Sequence, residues 1–221
     1  MKRVLFHIIS PVFPILCLTF PLSAQEVLRG EVKIEIEQVR GFSIEDTRLL
    51  DIEEAKTAAL EEAAWYFGAM IYGWSFHYDI GERARNIEEK LELTPLGNIS
   101  ANDPRLETTD IQLNGANLHL WADYRPEEAQ RHRLAKWKAG SVRTAQGYGQ
   151  SRLDNKYASL EDAARAAIRG VLQGSERNRP KEVSGYISLA AFPRYWLGKG
   201  QWTTMGRFRV EIVKIHPFAA H

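Results

Sequence analysis

Apolar and polar side chains alternate over residues 32–39, Val-Lys-Ile-Glu-Ile-Glu-Gln-Val, which puts Val32, Ile34 and Ile36 on one face of a half-buried edge or antiparallel strand. A helix follows over about 51–67. Asp51 caps it, Glu54 stands three residues on as in a capping box, and Ala55, Ala59, Ala63 and Phe67 recur near helical spacing. That stripe is narrow and made of small side chains, so the helix is expected to lie close on a sheet. The aromatic run from Ala69 to Asp79 reads as a second strand. Residues 82–93 read as a charged surface helix, and Thr94 to Thr109, with two prolines, Gly97 and Asn98, as a connecting loop. Leu113 to Tyr124 returns as a strand.

A second pass begins near Ser141. Val142 to Tyr148 reads as a strand, Ser159-Leu-Glu-Asp opens a second capped helix running to about Gln173, and Val183 to Phe192 and Thr204 to Ile215 read as two more strands. Gly198-Lys-Gly200 is a hairpin turn. At a constant offset of 108 the two helices align, with Glu53/Glu161, Ala55/Ala163, Ala58/Ala166 and Ala59/Ala167 identical. The expected fold is α+β: two βαββ-like units, as an internal duplication would leave them, with an antiparallel or mixed sheet and helices on one face. Residues 25–125 form the first unit, 126–140 a connecting basic helix and 141–221 the second. Chance similarity between two alanine-rich capped helices is the other reading of the match.

The strand, the capped Ala-x-x-Ala-Ala helix and the two strands after it resemble the N-terminal domain of the flagellar T-ring protein and the exported lipoproteins related to it. The resemblance covers Glu31–Ile80 and Ser159–Ile215 and lacks the lipid-attachment cysteine of those lipoproteins. It implies a periplasmic structural or assembly role, with flagellar association among the possibilities, and brings no catalytic residues with it.

The first 24 residues change the picture of where such a protein works. Met1-Lys2-Arg3, an apolar run from Val4 to Leu22 and then Ser23-Ala24-Gln25 give the charged, apolar and small-residue order of an export signal, with cleavage expected after Ala24. Pro11, Pro14 and His7 make the run a poor bilayer span, although bulky Leu22 keeps an uncleaved anchor as the alternative. Cys17, preceded by Leu16, does not suit a lipoprotein site and leaves with the signal. The mature chain then has no thiol, which excludes disulfides, thiol nucleophiles and cysteine metal sites. It also loses Lys2 and Arg3 and no acid, leaving 27 basic and 28 acidic residues, so no global electrostatic partner is implied and nucleic acid is not expected. About 197 residues suffice for one sizeable core or two small packed subdomains.

Among polar groups, His119 and Asp123 in Leu-His-Leu-Trp-Ala-Asp share a strand face with Trp121, as His77 and Asp79 do in Phe-His-Tyr-Asp. Two adjacent strands would bring these imidazoles and carboxylates into a site suited to zinc or acid–base work. The same pattern fits a solvated sheet face, and no known metal spacing is matched, so no metal or cofactor is assigned. There is no Gly-x-Ser-x-Gly; Gly147-Tyr-Gly-Gln-Ser151 lacks the strand-to-helix setting of a serine nucleophile. Neither a Gly-x-Gly-x-x-Gly nor a Walker loop occurs.

Two groupings remain as binding candidates. Arg131, Arg133, Lys136 and Lys138 cluster around Trp137, with Arg143 following, and could hold an anionic polymer or headgroup; clusters this small are ordinary, and a solvated helix face balanced by Glu127 and Glu128 is the favoured explanation. Tyr195, Trp196 and Trp202 flank the glycine turn, where ring faces stack on sugars or simply pair across a hairpin. Asn98-Ile-Ser100 is a formal glycosylation sequon. The expected function is a non-enzymatic periplasmic or secreted envelope protein that binds other envelope proteins. The alternatives are a module for glycan or peptidoglycan, the cell-wall polymer, and, behind it, a hydrolase using His119 and Asp123.

Overall fold

A computed structural model describes residues 26–39, 47–81, 88–175 and 181–217. The export-signal reading, Cys17 included, lies outside the described residues. In chain order the elements are β1 (Leu28–Glu35), β2 (Glu37–Val39), β3 (Thr47–Leu49), α1 (Ile52–Ile71), β4 (Trp74–Asp79), β5 (Lys90–Pro95), β6 (Leu106–Asn114) and β7 (Asn117–Tyr124), then α2 (Glu128–Lys136), β8 (Arg143–Arg152), α3 (Lys156–Ser175), β9 (Lys181–Leu189), β10 (Arg194–Gly198) and β11 (Gln201–Pro217). The fold is α+β, and every strand pairing among the described residues is antiparallel.

The strands form a three-stranded sheet ordered β1-β7-β6, a β2-β3 ribbon, and a six-stranded sheet built around β11. β11 is 17 residues long because it serves two neighbours on one edge, β10 at its start and β9 at its end, while β8 takes the other edge. β4 and then β5 continue the sheet beyond β9. Strands from both halves of the chain therefore share one sheet. β4-β5 and β9-β11 hold equivalent positions about the β4/β9 pair, but what leads into them differs: α1 packs on β1 and β7 and α3 on β8 and β11, and β1 lies in the small sheet and β8 in the large one.

α1 is capped as its sequence predicts, with Glu54 N–H donating to Asp51 Oδ1 at 2.7 Å and Asp51 N–H to Glu54 Oε2 at 3.4 Å. It runs past Gly68 to Ile71 and ends at Gly73, whose φ of +65° fits the left-handed turn after a helix. Gly68 instead lets the backbone of Asn98 and Ile99 approach the helix. The strand expected over 69–79 is correspondingly confined to Trp74–Asp79. α1 lies between the sheets, burying Ala55, Ala59, Ala63 and Phe67 with Val32, Ile34, Leu118 and Leu120.

α3 begins earlier than expected, at Lys156. Asn155 Oδ1 accepts from Ala158 N–H at 3.1 Å, so Asn155 caps the helix and Ser159 lies inside it, buried with its hydroxyl bonded to Thr204. The cap part of the 108-residue alignment fails for that reason, while Ala163 and Ala167 are buried like Ala55 and Ala59. The seat is glycine on strand: a Cβ on Gly147 would stand 1.8 Å from Ala163 O, and one on Gly149 2.1 Å from Ser159 O. The Gly147–Ser151 segment weighed as a serine motif is this seat.

Two further readings are corrected. Residues 90–93 belong to β5, where Leu91 and Leu93 alternate toward the core against Tyr78 and Phe76; residues 82–87 lie outside the described residues. Leu113–Tyr124 is not one strand but the end of β6, a turn at Gly115 with φ +59°, and β7. The Lys199-Gly200 turn joins β10 to β11 as expected, with φ of +53° and +73°.

Candidate functional site

The consequential recess is a cleft of about 1170 Å³ between the two sheets. One wall is β1 over Glu31–Glu35 and the other is β10 with the residue before it, Pro193–Leu197. Ala58, Glu61, Glu62 and Tyr66 of α1 form the floor, closed at one side by Leu153–Tyr157 where α3 begins. The cleft narrows where Phe192 packs on Gly30, so tightly that a Cβ there would be 2.3 Å from the ring.

At the floor, Lys156 Nζ donates to both oxygens of Glu62, at 2.6 and 2.9 Å, and the Tyr66 hydroxyl donates to the same carboxylate. The Glu62 side chain is 4% exposed and that of Lys156 17%. The ammonium also lies 4.5 Å from the centre of the Tyr195 ring and 5.3 Å from that of Trp202. Tyr66 stacks on Tyr195 at 6.0 Å, Trp202 meets Tyr195 edge-on at 6.5 Å, and Trp202 Nε1 donates to Leu153 O at 3.0 Å. Burial, with Glu62 and Glu61 nearby, pushes the Tyr157 phenol up to about 12. Burial raises Tyr66 and Tyr195 as well; the Tyr195 hydroxyl has no hydrogen-bond partner among the described residues.

The aromatic candidates thus separate. Tyr195 and Trp202 point to the helix side and are occupied by Lys156 and Tyr66, whereas Trp196, opposite Thr203 on β11, points to the other face and is 44% exposed. It shares that open face with Tyr148, which is 58% exposed and receives a 2.9 Å hydrogen bond from Gln146.

His119 reaches the same cleft from β7, its Nδ1 2.6 Å from Glu31 Oε1 and its ring stacked on Trp121. Asp123 lies elsewhere on that strand, bound bidentately by Arg29 at 2.6 and 2.7 Å, whose guanidinium holds the carboxyl below the ordinary range. His77 and Asp79 are on β4 of the other sheet, 3.5 Å apart, with Glu182 3.8 Å from the imidazole. The four residues weighed as a joint metal or acid–base site are therefore not brought together. No group of three or more potential metal-binding side chains occurs among the described residues.

The basic helix turns its tryptophan inward and leaves most of its charges exposed. Trp137 is buried and donates to Ile71 O at 3.1 Å, Arg131 donates to Pro126 O at 2.7 Å, Arg133 lies over the Tyr72 ring, and Lys138 pairs with Glu26 at 3.0 Å; Lys136 is exposed. Sequence reading missed Glu62, Tyr66, Lys156 and Tyr157. The available signal was Glu62 itself, a carboxylate on the same helical stripe as Ala55, Ala59 and Tyr66.

A protein-family model matches residues 18–218. The chain belongs to that family. It is 24% identical over 165 residues to an uncharacterized protein of Treponema pallidum (strain Nichols), an alignment spanning 73% of this chain and 69% of the relative. No solved structure matches the chain. No described helix is long and apolar enough to cross a membrane.

Proposed function

We propose that this is an exported, non-enzymatic envelope protein, periplasmic or secreted, of the interaction or assembly class, and that the β1/β10 cleft is where it engages a partner protein. The observation that carries the reading is the state of the cleft floor. Its buried charges, Glu62 and Lys156, neutralise each other, and the phenols around them are held protonated by burial. Beyond that floor the cleft presents a shaped surface bordered by scattered charges and by the His119–Glu31 pair on its rim, with no serine, threonine or cysteine among its described lining residues. Export is supported by the charged, apolar and small-residue order of residues 1–24, and an assembly role by the helix pattern shared with the flagellar T-ring domain.

The test is a pull-down from the envelope fraction with the wild-type chain and with Ala58→Trp, which fills the cleft floor. Protein partners captured by the first and lost by the second support the reading. A second reading, glycan binding, has its own observation in the exposed Trp196 and Tyr148 rings at the outer rim of the cleft. Retention on insoluble wall material that is abolished by Trp196→Ala and indifferent to Ala58→Trp favours it instead.

A further inference from the structure

We propose that the cleft binds an extended, net basic peptide segment of a partner protein by strand addition, the peptide backbone pairing with the free edges of β1 and β10. The proposal rests on the interaction reading above and goes beyond it to the mode and chemistry of recognition.

Backbone edges, rather than strand faces, border the cleft. Side chains alternate between the faces of a strand, so a cavity touching a face is lined by every second residue. Here five consecutive residues line it on each wall, Glu31–Glu35 and Pro193–Leu197, as happens when the backbone edge itself faces the space. Both strands are sheet edges: among the described residues β1 pairs only with β7, and β10 only with β11. Two rows of backbone donors and acceptors thus border one recess with no strand between them among the described residues. Such an edge is a template for another strand.

The geometry fixes length. β1 and β10 both run away from the Gly30–Phe192 contact, so the recess is closed at one end and flanked by about five residues on each side, or roughly 17 Å of extended chain. The lining fixes charge. With Glu62 and Lys156 cancelling, Glu31, Glu35, Glu61 and Asp154 face Lys33 and Arg194, a formal excess of two carboxylates with Glu31 already hydrogen-bonded to His119. Alternate side chains of the incoming strand meet Ala58, Tyr66 and Tyr157 below and the rim carboxylates above, which selects small apolar and basic residues in alternation.

The test uses the full mature chain and a fluorescent hexapeptide of alternating lysine and valine. Saturable binding is expected, and the same peptide N-methylated at alternate amides should bind at least tenfold more weakly, since methylation removes backbone donors and keeps every side chain. Hydrogen exchange of wild-type amides in 31–35 and 194–197 should slow at least tenfold on adding the unmodified peptide. A glutamate-for-lysine peptide should also lose affinity, and Arg131→Ala on the distant basic helix should not matter. Equal binding of the methylated peptide, or unchanged exchange at both edges, overturns strand addition. So does binding of a chitin or peptidoglycan oligosaccharide, or of a second copy of this chain, in place of the peptide. If the hexapeptide fails while Ala58→Trp still abolishes capture of protein partners, strand addition falls and the interaction reading stands.

Discussion

Glu62 and Lys156 lie 94 residues apart in sequence and meet at 2.6 Å, tying the middle of α1 to the first turn of α3. Removing one member leaves the other charge desolvated. Lys156→Met and Glu62→Gln should each cost about 3 kcal/mol, the former more because the carboxylate has less access to water, whereas Glu62→Leu with Lys156→Met should recover most of the loss. Urea melts of the three variants measure this. Single variants within about 0.5 kcal/mol of wild type would show that the pair is energetically idle.

Gly147 has no room for a methyl group, because the Ala163 carbonyl of α3 occupies it. Gly147→Ala should cost about 3 kcal/mol or prevent folding, whereas Gly140→Ala, with no atom within 4 Å of the new carbon, should stay within about 0.5 kcal/mol. Ala59→Leu and Ala167→Leu, which thicken buried helix seams, should lie between them at roughly 1–3 kcal/mol. Thermal denaturation followed by circular dichroism orders the series.

Lys199 is the only non-glycine residue with positive φ among the described residues, at +53° in the β10–β11 turn. Its exposed side chain gives nothing visible in return for the left-handed conformation. Lys199→Gly should therefore raise stability by about 1 kcal/mol. A lowered melting temperature would mean that the lysine has a contact that relieves the strain.

Hydrogen bonds from Arg29 and Arg105 hold the carboxyls of Asp123 and Asp103 below their ordinary range. A depressed carboxyl contributes stability that is full above the unfolded-state value and drains away as pH falls through the lower folded-state value. Stability should therefore decline from about pH 5 downward, and Asp103→Asn with Asp123→Asn should flatten that decline while leaving the alkaline limb unchanged. Melting temperatures from pH 2 to pH 9 test the sign.

Local chemistry was legible and long-range assembly was not. The α1 cap, the alternation of Val32 and Ile34, and the Lys199-Gly200 hairpin follow from neighbours a few residues apart. Where two local signals competed, reading went astray. Gly68 looked like a helix end when it makes room for Asn98 and Ile99, and Ser159 looked like a cap when Asn155, four residues earlier, makes the bond. Asn114-Gly115 marks the β6–β7 hairpin and was read through as strand. The cleft needs β1, α1, α3 and β10 together, and no window of sequence contains them. Even so, His119, Tyr195, Trp196 and Trp202 were singled out and all border it, because imidazoles and rings on strand ends are conspicuous wherever the fold later puts them.

The large sheet has at its middle β4, from the first half of the chain, hydrogen-bonded to β9, from near its end, and β9 is held in turn by β11, the last strand described. A nascent chain that has emerged only as far as α2 has β4 and β5 but not β9, the strand that closes β4's other edge. Closure of this core is thus postponed until nearly all of the polypeptide is present, and folding is dominated by contacts distant in sequence, the regime of slow rather than fast folders. A chain with this topology stays pliable for most of its synthesis and becomes rigid at the end.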